Sequence, residues 1–120
     1  MSAIRYGILH DASDPSPLWE LTWRSTIHED HRTREVHPAQ TVDKLRPELS
    51  ALLAEGHVEL YELDSSADSA VDPAAAGAAV ADDENWIVPT ESGRQVAYVV
   101  SLTDAGEDEF RRLVALHASA

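Results

Sequence analysis

A chain of 120 residues is long enough for one domain with a modest core, and its 43% apolar content is that of an ordinary globular protein. The absence of cysteine excludes disulfides, thiol catalysis and cysteine-ligated zinc. The net charge is −13, the first residues lack the basic start and apolar run of a signal peptide, and the longest low-polarity run, Ala74 to Ala81, is too short to span a bilayer, so a soluble cytoplasmic protein without membrane contact is expected.

Residues 2–12 place Ile4, Ile8 and Ala12 at helical spacing, with Tyr6-Gly7 leaving a strand open as an alternative. Asp14-Pro15-Ser16-Pro17 is a break followed by a helix start, with Ser16 as N-cap and Pro17 at the first helical position. From Leu18 to Ile27 the residues Trp19, Trp23 and Ile27 fit one helical face. Trp19, Leu21 and Trp23 also fit alternation, and the cap favours helix. Thr26 to His37 is polar and reads as a loop or a frayed extension of the preceding helix. Pro38 opens an amphipathic segment to Glu55, with Val42, Leu45, Leu49, Leu52 and Leu53 on one face. Pro47 inside it predicts a kink or split near Arg46, and Gly56 a C-terminal cap.

Val58 to Leu63 is a short, branched and aromatic strand. Asp72-Pro73 again reads as N-cap plus first-turn proline, opening an alanine-rich helix to about Ala81. The acids Asp82-Asp83-Glu84 oppose its dipole at the C-terminus. Trp86 to Pro89 reads as extended and Glu91 to Arg94 as a turn. Val96 to Leu102 is a strand with Val96, Tyr98, Val100 and Leu102 on one side. Thr103 or Asp104 caps a last helix whose apolar face is Phe110, Leu113, Val114 and His117.

Charge divides the chain. Residues 1–47 hold six basic and seven acidic groups; residues 48–120 hold three and fifteen. Between Arg46 and Arg94 there is no lysine or arginine and there are eleven carboxylates. Such asymmetry points to faces with different electrostatic roles, although an acidic surface also serves solubility alone.

Two pieces in order carry a resemblance: the leucine-spaced Leu49-Ser50-Ala51-Leu52-Leu53-Ala54-Glu55-Gly56 followed at once by Val58, and a strand entering Leu102-Thr103-Asp104-Ala105-Gly106. Over roughly residues 39–112 the chain resembles winged helix-turn-helix domains of MarR-like and PadR-like bacterial transcription regulators. The resemblance implies that the first piece is a recognition helix leading into the wing, and the second the returning wing strand and the start of a C-terminal helix. The expected fold is therefore α+β, a single domain over residues 1–120. It would be a winged helix-turn-helix with a two-stranded wing hairpin and a helical insertion between the wing strands. Wing and insertion would occupy about 57–102 and the C-terminal helix about 104–117. The chain departs from the pattern in its wing. That is usually a short hairpin, often with basic residues; here it exceeds thirty residues and is acidic.

Several candidate sites follow. Arg32, Arg34, Lys44 and Arg46 could contact phosphate or a guanine edge, but Glu29, Asp30, Glu35 and Asp43 among them fit a mixed solvated surface equally. Long-range repulsion from DNA opposes the first reading. The acidic set Glu59, Glu62, Asp64, Asp82, Asp83 and Glu84 would bind a basic protein, or be a solvated insertion. Trp86 among them would be an exposed interface anchor, or fold back over the core. His28, His31 and His37 with neighbouring carboxylates could hold a metal, but their spacing matches no established motif and a polar loop explains them. No phosphate loop, nucleophile elbow or metal signature appears. The expectation is a non-enzymatic regulatory protein without cofactor, acting through a basic protein partner at its acidic wing. The alternative is a sequence-specific DNA-binding regulator. A homodimer through the C-terminal helix is open, as the resemblance implies.

Overall fold

The computed structural model describes residues 3–23, 25–29, 32–62, 70–87 and 98–118. The first element is a helix, α1 (Ala3–Ala12), which buries Ile8, Leu9 and Ala12 along one face. That spacing settles the choice between helix and strand for this segment.

The next segment corrects the expected helix. Ser16 and Pro17 form a two-residue strand, β1, and a short 3-10 turn (Leu18–Thr22) follows without a side-chain cap. Leu18 and Leu21 are buried, while Trp23 is 51% exposed. No helix therefore joins Trp19, Trp23 and Ile27. The expected loop at residues 26–37 is also replaced. Strands β2 (Ser25–Glu29) and β3 (Arg32–His37) form an antiparallel hairpin with a register irregularity at Ser25/Thr26.

Helix α2 (Val42–Ala54) starts four residues later than Pro38 and runs unbroken through Pro47. Proline there removes the donor that would bond the Asp43 carbonyl. Asp43, Lys44 and Pro47 all lie on exposed ground, so water can serve that carbonyl and the helix continues. Leu45, Leu49 and Leu52 are buried beneath it. Each fully buried leucine contributes about 1.5–3 kcal/mol.

The end of α2 is fixed by glycine. Gly56 has φ +76°, a left-handed conformation that costs it no side-chain clash. Gly56 N–H donates to the Leu53 carbonyl at 3.1 Å and His57 N–H to the Leu52 carbonyl at 3.0 Å, which is a Schellman cap. The chain thus reverses directly into β4 (Val58–Glu62).

Helix α3 (Pro73–Ala81) begins as Asp72-Pro73 implies, with the Asp72 carboxylate accepting from Ala75 N–H at 3.0 Å. A second 3-10 turn (Asp83–Trp86) follows and takes Trp86 out of the expected extended piece; Ile87 is extended, and Val88 and Pro89 lie outside the described residues. The expected turn at residues 91–94 lies outside the described residues. Strand β5 (Tyr98–Leu102) then enters helix α4 (Asp104–Ala118). Thr103 caps that helix, its hydroxyl accepting from Gly106 N–H at 3.0 Å.

The strands form one antiparallel three-stranded sheet in the order β1-β5-β4, with Val58 opposite Leu102 and Ser16 opposite Val100. The architecture is α+β: among the described residues four helices pack around this sheet, and the hairpin β2–β3 stands as a separate pair. One core joins Leu9 of α1, Leu49 of α2, Leu60 of β4, Val80 of α3, Val100 of β5 and Leu113 of α4. No helix among the described residues is long and apolar enough to cross a membrane.

Candidate interaction surface

Two anchor points fix α3 and the Val58–Leu102 end of the β4–β5 pair to the rest of the fold. The first is the end of α3. Its final carbonyls would be orphans in a helix ending on acids. Asn85 Nδ2 donates to the Ala79 carbonyl at 2.9 Å, and Trp86 Nε1 to the Val80 carbonyl at 2.9 Å. Arg46 Nε, from α2, reaches the same Val80 carbonyl at 2.9 Å, while its Nη2 bonds the Asp83 carboxylate at 2.5 Å. Three side chains, one of them the Arg46 cation, therefore close a C-terminus that the sequence leaves electrostatically unfavourable.

The second anchor joins the two sequence pieces that carried the resemblance. Thr103 N–H donates to the His57 carbonyl at 3.1 Å and Thr103 Oγ1 to the Gly56 carbonyl at 2.5 Å. A Cβ on Gly106 would lie 1.8 Å from the His57 carbonyl oxygen, so only glycine admits α4 this close. Beside this junction Arg5 of α1 bonds Glu55 at 2.5 Å and His57 Nδ1 at 3.1 Å. Arg112 pairs with Glu109 at 2.5 Å. Its hydrogen bond, above all, holds the Glu109 carboxyl below the usual carboxylate range.

The positions expected to meet DNA are only partly on one surface. Lys44 is exposed on the first turns of α2. Arg46 is committed to Val80 and Asp83, so its guanidinium serves the interior of the domain. The exposed residues of α2 are Asp43, Lys44, Pro47, Ser50 and Ala54, which carry one carboxylate and one cation. Arg32 and Arg34 lie in β3, and their side chains lie outside the described residues.

The acidic set is divided. Asp82, Asp83 and Glu84 gather at the far end of α3, and Asp72 stands at its start. Nine helical residues separate the two ends by roughly 13 Å. Glu59 and Glu62 lie on β4, and Asp64 is outside the described residues. Glu59 accepts from the Tyr61 hydroxyl at 2.7 Å; this bond, then burial and the carboxylate charge, push the phenol above its ordinary range.

Trp86 is corrected as an exposed anchor. It is 5% exposed with its indole N–H bonded, so it covers the core. Spacing could not reveal this, because its partner is a carbonyl six residues back in an irregular turn. For the histidines, the backbone register sets His28 opposite Thr33 and His37 opposite Ser25, separated along the hairpin; His31 lies outside the described residues. Among the described residues no group of three or more candidate ligands could hold a metal.

Sequence reasoning missed one feature. An apolar groove of about 580 Å³ opens between the end of α2, the outer edge of β4 and α3, with Leu53, Leu60, Val71 and Ala76 in its walls. The long-range packing of α3 on α2 that forms it leaves no local signature. The chain matches no protein-family model, no curated protein and no solved structure.

Proposed function

We propose that this protein is a non-enzymatic regulatory module built on a winged-helix-like frame, and that it acts by contacting a basic protein through the acidic segment between β4 and β5. The observation that carries this reading is the engagement of Arg46. In the proposed recognition helix its guanidinium is turned to the inserted helix α3, and among the solvent-open residues of α2 the single cation, Lys44, stands beside the carboxylate of Asp43. Strands β4 and β5 stand side by side as wing strands would, with α2 and its reversal at Gly56 directly before them. An acidic surface attracts a basic partner and repels the phosphate backbone.

A second reading, a sequence-specific DNA-binding regulator, draws support from exposed Lys44 alone on α2. Affinity capture from a cell extract separates the two. We expect a basic protein to be captured stoichiometrically and to be lost when Glu59, Glu62, Asp82, Asp83 and Glu84 are changed to their amides. Retention of nucleic acid, sensitive to Lys44→Ala and insensitive to the amide substitutions, would overturn the first reading in favour of the second.

A further inference from the structure

His57 joins the end of α2 to β4, and its backbone and its ring do separate work. The backbone carbonyl accepts from Thr103 N–H and lies against Gly106 of α4. The ring is 20% exposed, and its Nδ1 has two polar neighbours. Arg5 Nη2, from α1, lies at 3.1 Å, and Glu55 Oε2, from the turn that ends α2, at 3.5 Å. Arg5 Nη2 also bonds that same Glu55 oxygen at 2.5 Å.

A guanidinium only donates, so Nδ1 must accept from Arg5. The imidazole in this arrangement is therefore neutral and carries its proton on Nε2. A proton on Nδ1 would set N–H against N–H where one of the two must offer a lone pair. The same proton would give Glu55 a charge-assisted donor once the gap between them closes to about 2.8 Å. One nitrogen thus faces a donor and a carboxylate, and its protonation decides which of the two it serves.

The charged groups around the ring come from three elements. Helix α1 supplies Arg5, the end of α2 supplies Glu55, and α4 supplies Glu109 and Arg112; β5 carries no charged residue. The Glu109 carboxyl is held low chiefly by its hydrogen bond from Arg112, and the charges of Arg112, His57 and Arg5 add to this. Two carboxylates therefore stand where they can balance a cation on a ring that sits between two arginines.

We propose that His57 is a proton-operated switch on the tie between α1 and the start of β4. Neutral, its Nδ1 holds Arg5. Protonated, it releases Arg5 and donates to Glu55, so that this arginine joins α1 to the end of α2 and no longer to β4. Histidine is the side chain that ordinarily changes charge between about pH 5 and 8, above the range of free carboxylates. The switch goes beyond the protein-contact reading and does not depend on it.

Nuclear magnetic resonance of the whole, nitrogen-labelled chain tests this. Long-range proton–nitrogen correlation reads the tautomer of each imidazole, and His57→Gln identifies the His57 ring among the six histidines by its loss. Arg5→Lys identifies the Arg5 Nε–H signal in the same way. We expect the neutral His57 ring to carry its proton on Nε2. As the pH is lowered toward about 5, the Arg5 Nε–H signal should shift in step with the ring, and in His57→Gln it should stay in place over that range. This variant keeps the backbone carbonyl on which Thr103 and Gly106 rest, so it should fold. If it does not, the tautomer and the shared titration of the two signals in the parent chain decide alone.

A neutral ring with its proton on Nδ1 overturns the proposal. So does an Arg5 signal that ignores the titration of the His57 ring, or one that moves as far in His57→Gln as in the parent.

Discussion

Arg46 and Trp86 share one acceptor: the guanidinium Nε and the indole Nε1 each donate to the Val80 carbonyl at 2.9 Å. A residue of α2 and a residue beyond α3 thus meet at the end of the inserted helix. With Val80 1% exposed and Ala76 and Ala79 buried, α3 belongs to the core and cannot be a lid on it. Arg46→Ala should therefore destabilise the fold by about 1–2 kcal/mol, through loss of a charged donor to a helix C-terminus. Asp83→Asn should cost less than about 1 kcal/mol, because Asp83 is 84% exposed. Urea unfolding of the two variants beside the parent checks the order.

The tryptophans should separate by environment. Trp86→Ala opens a core cavity and should cost about 3–5 kcal/mol. Trp86→Phe, which leaves Val80 its bond from Arg46, should cost much less. Trp23, half exposed, should accept phenylalanine within about 0.5 kcal/mol. Fluorescence-monitored unfolding reads this, since native emission should shift to the red with Trp86→Phe, leaving half-buried Trp19 and exposed Trp23, and to the blue with Trp23→Phe.

Three glycines should respond to alanine in three ways. Gly106→Ala sets a methyl against the His57 carbonyl and should cost about 3 kcal/mol or prevent folding. Gly56→Ala strains a left-handed residue and should cost about 1 kcal/mol. Gly77→Ala, in open space inside a helix, should stabilise by about 0.5–1 kcal/mol. Thermal midpoints of the three variants should fall in that order around the parent.

These contrasts show which parts of the fold local pattern could reveal. The caps at Asp72 and Thr103 and the reversal at Gly56 are local devices, and the residue types forecast them. The segment from Ser16 to His37 was misread because Ser16-Pro17 satisfies the rules for a helix start while its actual partners, Val100 and Val99, lie more than eighty residues on. Pro47 misled in the same way, since whether a proline breaks a helix depends on whether the freed carbonyl meets water. Of the candidate site, the acidic residues were visible in the sequence. The commitment of Arg46 to α3 and the groove beside β4 depend on packing across elements and were not.

The Glu109–Arg112 pair gives a pH dependence with a definite sign. Arg112, by its hydrogen bond and then its charge, holds the Glu109 carboxyl below its unfolded value. Its contribution is present above the unfolded pKa and is lost as pH falls through the folded one, on the acid side of the ordinary glutamate range. Glu109→Gln should flatten the acid limb of the stability profile there and leave it unchanged near neutrality. Chemical unfolding across the acid range tests this.

The central claim is that this frame meets a protein and does not read DNA. Fluorescence anisotropy of a labelled mixed-sequence duplex, titrated with the protein at low salt, tests it most directly. The account predicts no saturable rise, since Lys44 is the single exposed cation of α2, Asp43 stands beside it, and the chain carries a net charge of −13. A saturable rise that weakens steeply with added salt and is abolished by Lys44→Ala would contradict it.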